Sequence, residues 1–301
     1  MITIRRIKIW FNMISGTSIL HAPQPKGSFI NIREIRGYYN DLTQKVIMDK
    51  EHIDCVEYIP TFLNDYNEKV KFPIEIVQYG LGCFDLYLKT NDTVFLKKAK
   101  FCADYIISII DKDGGINTMF FVKGLKNTYS SMCQGETISL LSRIYSIGGD
   151  KIYYETANKV FKFLMNEKNE LLRIDKNNLW FFEYPDKPVV LNGMIFTIFG
   201  LYDYFLLTNS VEAKNAFDFA TKTIINNLNL FCYKTFWSYY DLGGNLASKF
   251  YHSLHISLME ALSDISKKDF SEYINNFKKG LDSFRLRTKM FWKKGFQKLR
   301  G

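Results

Sequence analysis

The stretch WFFEYPDKPVVLNGMIFTIFGLYDYFLL, residues 180–207, joins a loop rich in aromatic side chains to a long apolar segment. Similar junctions recur at near-regular spacing along the chain: FPIEIVQYGL at 72–81, YSSMCQGETISLL at 129–141 and YYDLGGNLASKFYHSLHISLMEAL at 239–262. A junction that returns at a near-constant interval indicates an internal repeat. We therefore interpret the chain as four copies of one structural unit.

Each unit has the pattern of a helix pair. The apolar segment of each junction is hydrophobic on most sides, as in GMIFTIFGLYDYFLL, which is typical of a helix covered by other elements. We predict that these four segments are inner helices. A second, amphipathic segment follows three of them after a capping residue. The outer helices predicted in this way are 94–107 after Asp92, 151–164 after Asp150 and 211–225 after Ser210.

Four helix pairs, the last with its outer helix near 270–281, should close into a toroid, because one pair cannot bury its apolar faces alone. The predicted fold class is an all-α main domain, an (α/α)4 barrel of helical hairpins with a small extended or β N-terminal region. The predicted boundaries are 1–71 for that region, 72–284 for the barrel and 285–301 for a basic aromatic tail. The links from outer to inner helices are long and aromatic, and we expect them to form a functional site at one end of the barrel.

The formal net charge of +9 is concentrated at the C-terminal end of the chain. Residues 285–301 hold seven of the 40 Lys and Arg side chains and no acidic one, which leaves 33 basic against 31 acidic residues elsewhere. Because aromatic residues are interspersed, this segment suits an anionic membrane surface or an acidic partner better than duplex nucleic acid. A solvated tail is the alternative interpretation.

No stretch of the sequence resembles a transmembrane span or a secretion signal, and the five scattered cysteines are typical of reduced packing residues. We therefore expect a cytoplasmic protein that contacts the inner face of the membrane through 285–301. The chain has no CxxC, no P-loop and no dinucleotide glycine fingerprint, so no cofactor is predicted.

His252 and His255 lie three residues apart in YHSLH, so they share one helix face and could pair on a metal ion. No carboxylate accompanies them in an HExxH pattern, however. The simpler interpretation places one histidine in the core and the other at the rim of the site. We predict no metal site.

In chain order, YSSMCQGETISLL, WFFEYPDKPVVLNGMIFTIFGLYDY and YDL followed by NLASKFYHSLHI resemble the C-terminal domain of the D-glucuronyl C5-epimerases. FPIEIVQYGL resembles the start of the same domain. The resemblance implies an (α/α)4 barrel, an extended N-terminal β region, a homodimer and no nucleotide or redox cofactor. It also implies epimerisation of D-glucuronate to L-iduronate in a heparosan-like or other bacterial-type polysaccharide. The expected partner is an acidic polysaccharide or a lipid-linked glycan, not nucleic acid.

The resemblance further implies site residues. The family's active-site Glu-Tyr pair falls on Glu183 and Tyr184, its YDL tyrosine on Tyr240, and its Tyr-His tyrosine on Tyr251. These four are the candidate catalytic residues, with Glu183 and Tyr251 as the opposed acid and base groups. The candidate substrate-binding residues in the same motifs are Gln78, Tyr129, Gln134, Asn192 and His252.

The chemistry of C5 inversion suits these residue types. A proton α to the carboxylate must be removed and one returned on the other face, so two proton-transfer groups must flank the ring. The enediolate formed carries added negative charge, which cations or hydrogen-bond donors must stabilise. Where the family has an arginine after YDL, this chain has Gly243, and Lys249 or Lys187 is the candidate substrate-binding replacement.

Other functions also fit an aromatic rim. A polysaccharide lyase shares the C5 proton abstraction but then expels the 4-O substituent. A glycoside hydrolase needs two opposed carboxylates. The lesser candidates for a partner of Glu183 are Glu75, Glu136 and Asp241. A non-catalytic glycan-binding protein needs no such groups, and the epimerase is the leading prediction.

Overall fold

The computed structural model describes residues 18–64, 68–122 and 124–300 of the chain. Its long helices alternate between an inner and an outer layer. The inner helices are α2 (Pro73–Thr90), α4 (Ser131–Ser146), α6 (Leu191–Thr208) and α8 (Lys249–Ser266), and the outer helices are α3 (Thr93–Ile109), α5 (Lys151–Met165), α7 (Val211–Asn227) and α9 (Ser271–Asp282). A short helix, α1 (Thr43–Ile47), precedes them, and α10 (Phe284–Arg300) follows. The predicted (α/α)4 barrel of helical hairpins is confirmed.

The two layers follow from the apolar pattern of the sequence. In α6 every residue from Leu191 to Tyr204 is buried, as expected for a helix covered on all sides. The outer helices bury one face only, and three of them begin at the predicted cap residues. Asp92 and Ser210 each accept a main-chain hydrogen bond from the first turn, whereas Asp150 occupies the N-cap position without a side-chain bond.

Among the described residues, α6 alone has the length and hydropathy that a membrane span would need. Most of this helix is buried inside the barrel, where it packs against α4, α7 and α8. Its apolar composition therefore follows from its central position in the core.

Three short antiparallel hairpins lie in the links between helices. They are β1 (Phe62–Leu63) with β2 (Lys69–Val70), β3 (Leu172–Ile174) with β4 (Leu179–Phe181), and β5 (Cys232–Tyr233) with β6 (Trp237–Ser238). The second hairpin pairs Leu172 with Phe181 and the third pairs Cys232 with Ser238. Both end just before a candidate catalytic residue, so they hold the start of the loops that carry Glu183 and Tyr240.

The segment before the first inner helix packs into the interior of the barrel. Tyr38 and Tyr39 are buried, and both rings contact the ring of Phe199 on α6. A Cβ on Gly82 of α2 would lie 2.5 Å from the carbonyl oxygen of Leu42, so only glycine permits this close approach. The segment is thus part of the barrel core.

The same segment joins the first inner helix to the last. Lys26 Nζ lies 3.0 Å from the carboxylate of Asp264 on α8. Lys45, on α1, lies 2.7 Å from the carboxylate of Glu75 on α2. Residues 18–47 therefore connect the two ends of the inner layer.

A buried ion pair ties this segment to two inner helices. Arg143 of α4 donates through Nη1 to Asp203 Oδ2 of α6 at 2.6 Å, and both side chains are fully buried. Arg143 Nη2 donates to the Gly37 carbonyl oxygen at 3.0 Å, and the Tyr39 hydroxyl donates to Asp203 Oδ1 at 2.7 Å. Each charged group thereby has several partners, as a buried ion pair requires.

We expect Asp203→Asn to lower the free energy of unfolding by about 3–5 kcal/mol, because it leaves the Arg143 charge buried without a counter-charge. Urea denaturation of the purified variant measures this loss. The matched control is Asp218→Asn, which breaks the exposed Lys214–Asp218 pair on α7 and should cost less than about 1 kcal/mol. Similar losses in the two variants would contradict the prediction.

Candidate active site

A cavity of about 240 Å³ lies at the N-terminal ends of the four inner helices. Each inner helix contributes a residue from its first turns, namely Gln78, Met132, Asn192 and Tyr251. The links from outer to inner helices contribute Phe121, Glu183, Tyr184 and Tyr240. This arrangement agrees with the expectation that the long links meet at one end of the barrel.

Glu183 follows β4, and its side chain lines the cavity although the residue is only 5% exposed. Gly193 in the first turn of α6 makes room for it, since a Cβ there would lie 2.7 Å from Glu183 Oε2. That oxygen has no hydrogen-bond partner among the described residues. Burial raises the pKa of Glu183 to about 7, and hydrogen bonding with Tyr184 opposes part of this rise. The carboxyl group can therefore exchange a proton near neutral pH.

Three tyrosine hydroxyl groups accompany this carboxyl group. Tyr184 and Tyr240 come from the links, and Tyr251 comes from the first turn of α8. The rings of Tyr240 and Tyr251 meet edge to face, with their centroids 4.8 Å apart. Burial, and then the charge of Glu183, raises the pKa of all three hydroxyl groups. They are therefore protonated near neutral pH and can act as hydrogen-bond donors beside Glu183.

Main-chain hydrogen bonds hold the loop that carries Tyr240. The Leu191 amide donates to the Tyr240 carbonyl oxygen at 3.0 Å, and the Tyr240 amide donates to the Asn245 carbonyl oxygen at 2.6 Å. The Leu242 amide donates to the Val189 carbonyl oxygen at 3.0 Å. The loops before α6 and α8 are thus bonded to each other at the wall of the cavity.

Two amide side chains add polar atoms to the cavity. Asn192 is buried, and its Oδ1 has no hydrogen-bond partner among the described residues, so it can accept a bond from a sugar hydroxyl group. Gln78 donates through Nε2 to Glu136 Oε1 at 2.9 Å. Burial raises the pKa of Glu136 well above its usual range. The Glu136 side chain therefore orients Gln78.

Two of the predicted substrate-binding residues lie away from the cavity: Tyr129 in the link between α3 and α4, and Gln134 in the first turn of α4. The Tyr129 hydroxyl donates to Asp111 Oδ2 at 2.7 Å. The Gln134 side chain donates to the Gly114 carbonyl oxygen at 3.0 Å and accepts from the Ile116 amide at 3.1 Å. These contacts hold the link in place, and neither Tyr129 nor Gln134 lines the cavity.

His252 and His255 are both buried, which corrects the expected rim position of one of them. The Ser238 hydroxyl lies 2.9 Å from His252 Nδ1 and 2.8 Å from His255 Nδ1. His252 Nε2 lies 3.1 Å from the Phe277 carbonyl oxygen, and the ring stacks on Trp237. Burial lowers the pKa of His252 to about 4 and that of His255 to about 3. The neutral rings hold β6 and α9 against α8, and His252 does not line the cavity.

One wall of the cavity is aromatic and was not predicted from the sequence. Phe62, Phe72 and Phe121 line it, and their ring centroids lie 5.6 to 6.2 Å apart. Flat apolar surfaces of this kind, with a few polar groups opposite, are typical of ligand pockets. The Phe-Phe pair in the link after α3 was a signal for Phe121. No sequence signal indicated Phe62, because its position beside Phe72 and Phe121 depends on the fold.

A second carboxylate also borders the cavity. Glu75, in the first turn of α2, accepts hydrogen bonds from Lys45 Nζ at 2.9 Å and 2.7 Å, one on each oxygen. Lys45 donates in addition to the Leu20 carbonyl oxygen at 3.2 Å. Glu75 therefore holds α1 against α2, and Lys45 is already engaged.

The described residues that line the cavity include no Lys or Arg. The N-terminal ends of the four inner helices converge there instead, and each carries the equivalent of about half a positive elementary charge. Neither α2 nor α6 has a side-chain cap at this end. The helix ends and the tyrosine hydroxyl groups together suit a carboxylate in the cavity.

The family model described as D-glucuronyl C5-epimerase C-terminus matches residues 111–279, which is more than half of the chain. The chain belongs to this family. A D-glucuronyl C5-epimerase of Caenorhabditis elegans is 29% identical over 164 residues, which cover 47% of this chain and 26% of the relative. The chain thus spans about a quarter of the length of that curated relative.

Solved structures share the fold of this D-glucuronyl C5-epimerase family member. A GH76 α-mannanase of Bacteroides thetaiotaomicron has a TM-score of 0.54 at 16% identity, over 79% of this chain and 70% of its own. An unsaturated glucuronyl hydrolase of Bacillus sp. GL1 has a TM-score of 0.51 at 15% identity, over 89% of this chain and 82% of its own. An unsaturated glucuronyl hydrolase specific for heparin has a TM-score of 0.52 at 12% identity, over 80% of this chain and 66% of its own. At these identities the likeness shows a helical (α/α) barrel and nothing about activity.

In this member of the D-glucuronyl C5-epimerase family, the exposed Gly243 at the position of the family arginine has two close neighbours. A Cβ on Gly243 would lie 3.1 Å from both Asp241 Oδ1 and Pro188 Cγ. Lys187 and Lys249, the replacements suggested by the sequence, are exposed and do not line the cavity. The geometry therefore favours tyrosine hydroxyl groups and helix ends as the groups that could bind a carboxylate in the cavity.

We expect Lys187→Met and Lys249→Met to change the turnover of a uronate polymer by less than about threefold, because exposed cations outside the cavity add little. Tyr184→Phe and Tyr240→Phe should each lower turnover by about tenfold or more, since each removes a donor to the developing charge. Initial rates of the four variants on one substrate test this ranking. A larger loss in either lysine variant than in both tyrosine variants would reverse it.

Proposed function

We propose that the chain is a uronate C5-epimerase that converts D-glucuronate to L-iduronate residues within a polysaccharide. The observation that carries the proposal is a shared cavity in which the carboxyl group of Glu183, with its pKa raised to about 7, meets three protonated tyrosine hydroxyl groups. Membership of the D-glucuronyl C5-epimerase family supports the same reaction. The candidate catalytic residues are Glu183, Tyr184, Tyr240 and Tyr251.

Glu183 acts as the base in the direction from glucuronate to iduronate. Its ionised form is available near neutral pH, whereas burial keeps the tyrosines protonated. Glu183 takes the C5 proton, the C5–H bond electrons enter the adjacent carboxylate to give an enediolate, and Tyr251 delivers a proton to the opposite face of C5. After the reaction Glu183 is protonated and Tyr251 is deprotonated. Transfer of a proton from Glu183 to Tyr251 through water restores the starting state.

Tyr184 and Tyr240 stabilise the enediolate. Both hydroxyl groups are hydrogen-bond donors at the wall of the cavity, where such bonds are stronger than in solution. The N-terminal ends of the inner helices add a fixed positive potential. The reverse reaction uses the same groups with their roles exchanged.

The substrate we propose is a heparosan-like or other bacterial-type acidic polysaccharide, or a lipid-linked glycan. The name of the relative from Caenorhabditis elegans supports a D-glucuronyl unit. The aromatic wall of Phe62, Phe72 and Phe121 suits the apolar faces of neighbouring sugar rings. We also propose a homodimer, which light scattering tests, and a cytoplasmic location.

The test is incubation of the purified chain with heparosan, followed by NMR and ultraviolet spectroscopy. We expect iduronate signals without new absorbance from unsaturated uronate. Absorbance at the wavelength of unsaturated uronate would identify a lyase instead. Tight binding of the polymer with no chemical change would identify a glycan-binding protein.

The second candidate is a glycoside hydrolase, because Glu75 borders the cavity together with Glu183. A hydrolase needs two opposed carboxyl groups, one protonated and one ionised. Both oxygens of Glu75 are bound by Lys45, which leaves this carboxylate poorly placed to attack or to activate water. New reducing ends in the same incubation, lost in Glu75→Gln, would favour the hydrolase over the epimerase.

A further inference from the structure

The C-terminal helix α10 has two different faces. Its packed face holds Met290, which is 1% exposed and lies in a small apolar cluster with Trp237 and Leu246. Two turns later, Gln297 donates to the Gly244 carbonyl oxygen and accepts from the Leu246 amide, both at 2.9 Å. This face is thus attached to the loop that follows β6.

The opposite face of α10 carries exposed aromatic side chains. Phe284 is 75% exposed, Phe291 52%, Trp292 60% and Phe296 59%. At about 3.6 residues per turn, the four lie within less than half of the helix circumference, away from the packed face. They are four of the five exposed Phe and Trp side chains in the described part of the chain. We call them the aromatic stripe.

Basic residues accompany the aromatic stripe. Arg285 and Lys289 are exposed beside it. The segment 285–301 contains seven Lys or Arg and no acidic residue, whereas the rest of the chain is nearly balanced. The outer surface of α10 is therefore apolar and positively charged at the same place.

We propose that α10 docks its aromatic stripe on an anionic lipid surface and lies in the plane of the membrane. Apolar rings at the acyl boundary with flanking cations at the headgroups are typical of interfacial helices. Its 17 residues give a length of about 25 Å, and its charge is too high for a span. Nucleic acid would satisfy the cations but leave the rings in water, and a second copy of α10 would bring like charges together.

The packed face of α10 is attached beside the candidate active site. Gln297 bonds the loop at 244–246, and the Tyr240 amide donates to the Asn245 carbonyl oxygen in that loop. Membrane binding by α10 does not depend on the proposed epimerase activity.

Co-sedimentation of the whole chain with vesicles tests the proposal. The vesicles are phosphatidylcholine alone or phosphatidylcholine with about one-third phosphatidylglycerol. The test variant combines Phe291→Ser, Trp292→Ser and Phe296→Ser. The matched control combines Phe120→Ser, Ile152→Ser and Val211→Ser, which are also exposed apolar residues but lie outside α10.

The parent chain should bind the anionic vesicles more tightly than the neutral ones. We expect the α10 variant to lose about tenfold or more of this binding and the control variant to keep it. Arg285→Gln with Lys289→Gln should also weaken binding, by about 25-fold, because each cation near an anionic surface contributes roughly fivefold.

The proposal is wrong if both α10 variants bind anionic vesicles as the parent does, or if the control variant loses as much. It is also wrong if vesicle binding stays constant while the aromatic variant changes the mass measured by light scattering, because a second copy then covers the stripe. Melting curves establish that each variant is folded. If the aromatic variant is not folded, the vesicle binding of the charge variant, which keeps every aromatic ring, tests the proposal.

Discussion

Replacing Glu183 by glutamine is expected to lower C5 proton exchange on a glucuronate polymer by about a hundredfold or more. Glutamine keeps the shape of the side chain, but its amide cannot accept the C5 proton. In the wild type, the exchange rate should rise with pH through about 7, because only the ionised carboxyl group is a base. Initial rates of deuterium incorporation across this pH range measure both effects. Near-wild-type exchange in the folded variant would remove Glu183 from the mechanism.

The same substitution should stabilise the fold at higher pH, which serves as its control for folding. Between pH 4.5 and about 7 the native state keeps the Glu183 proton that the unfolded state releases, so the stability of the wild type falls as pH rises. Glutamine does not titrate, so the variant does not lose this stability. Relative to the wild type, we expect its free energy of unfolding to be higher by about 3 kcal/mol above pH 7 and unchanged below pH 4.5. The exposed Glu57→Gln should show no such gain. A stable but active Glu183→Gln would contradict the assignment most clearly.

Replacing Tyr251 by phenylalanine is expected to lower inversion at C5 by about a hundredfold or more. The ring keeps its place against Tyr240, but no hydroxyl group remains to protonate the opposite face of the enediolate. Because Glu183 is intact, proton exchange with retained configuration should persist on glucuronate. NMR separates the two outcomes, since iduronate and deuterated glucuronate give different signals.

Tyr129→Phe is the matched control for this substitution. Its hydroxyl group is bonded to Asp111 in the link between α3 and α4, outside the cavity, so we expect inversion to continue at nearly the wild-type rate. Loss of both exchange and inversion in Tyr251→Phe would make Tyr251 the base instead of the acid. Unchanged inversion would exclude it from proton transfer.

The helices were predictable because their signals are local. The apolar composition of α6 and the cap residues Asp92 and Ser210 depend on neighbours within a few turns. The resemblance at the junctions also named Glu183 and Tyr251, which lie in short motifs at the start of inner helices. Both line the cavity at the N-terminal ends of those helices.

Contacts between distant parts of the chain were not predictable. Tyr39 reaches Asp203 across 164 positions, and nothing near Tyr39 in sequence indicates that it lies inside the barrel. His252 looked like a rim residue because YHSLH starts a helix, but β6 and α9 cover it. Met290 lies in the basic tail and is buried, so deleting the tail would expose apolar surface, and point substitutions on α10 are the cleaner test.

The most direct measurement is NMR of a glucuronate polymer incubated with the purified chain in heavy water. It reports deuterium at C5 and the configuration of the product in one spectrum. We predict deuterium at C5 together with iduronate signals, both abolished in Glu183→Gln. A polymer that stays fully protonated at C5 and keeps the glucuronate configuration would contradict the proposed epimerase.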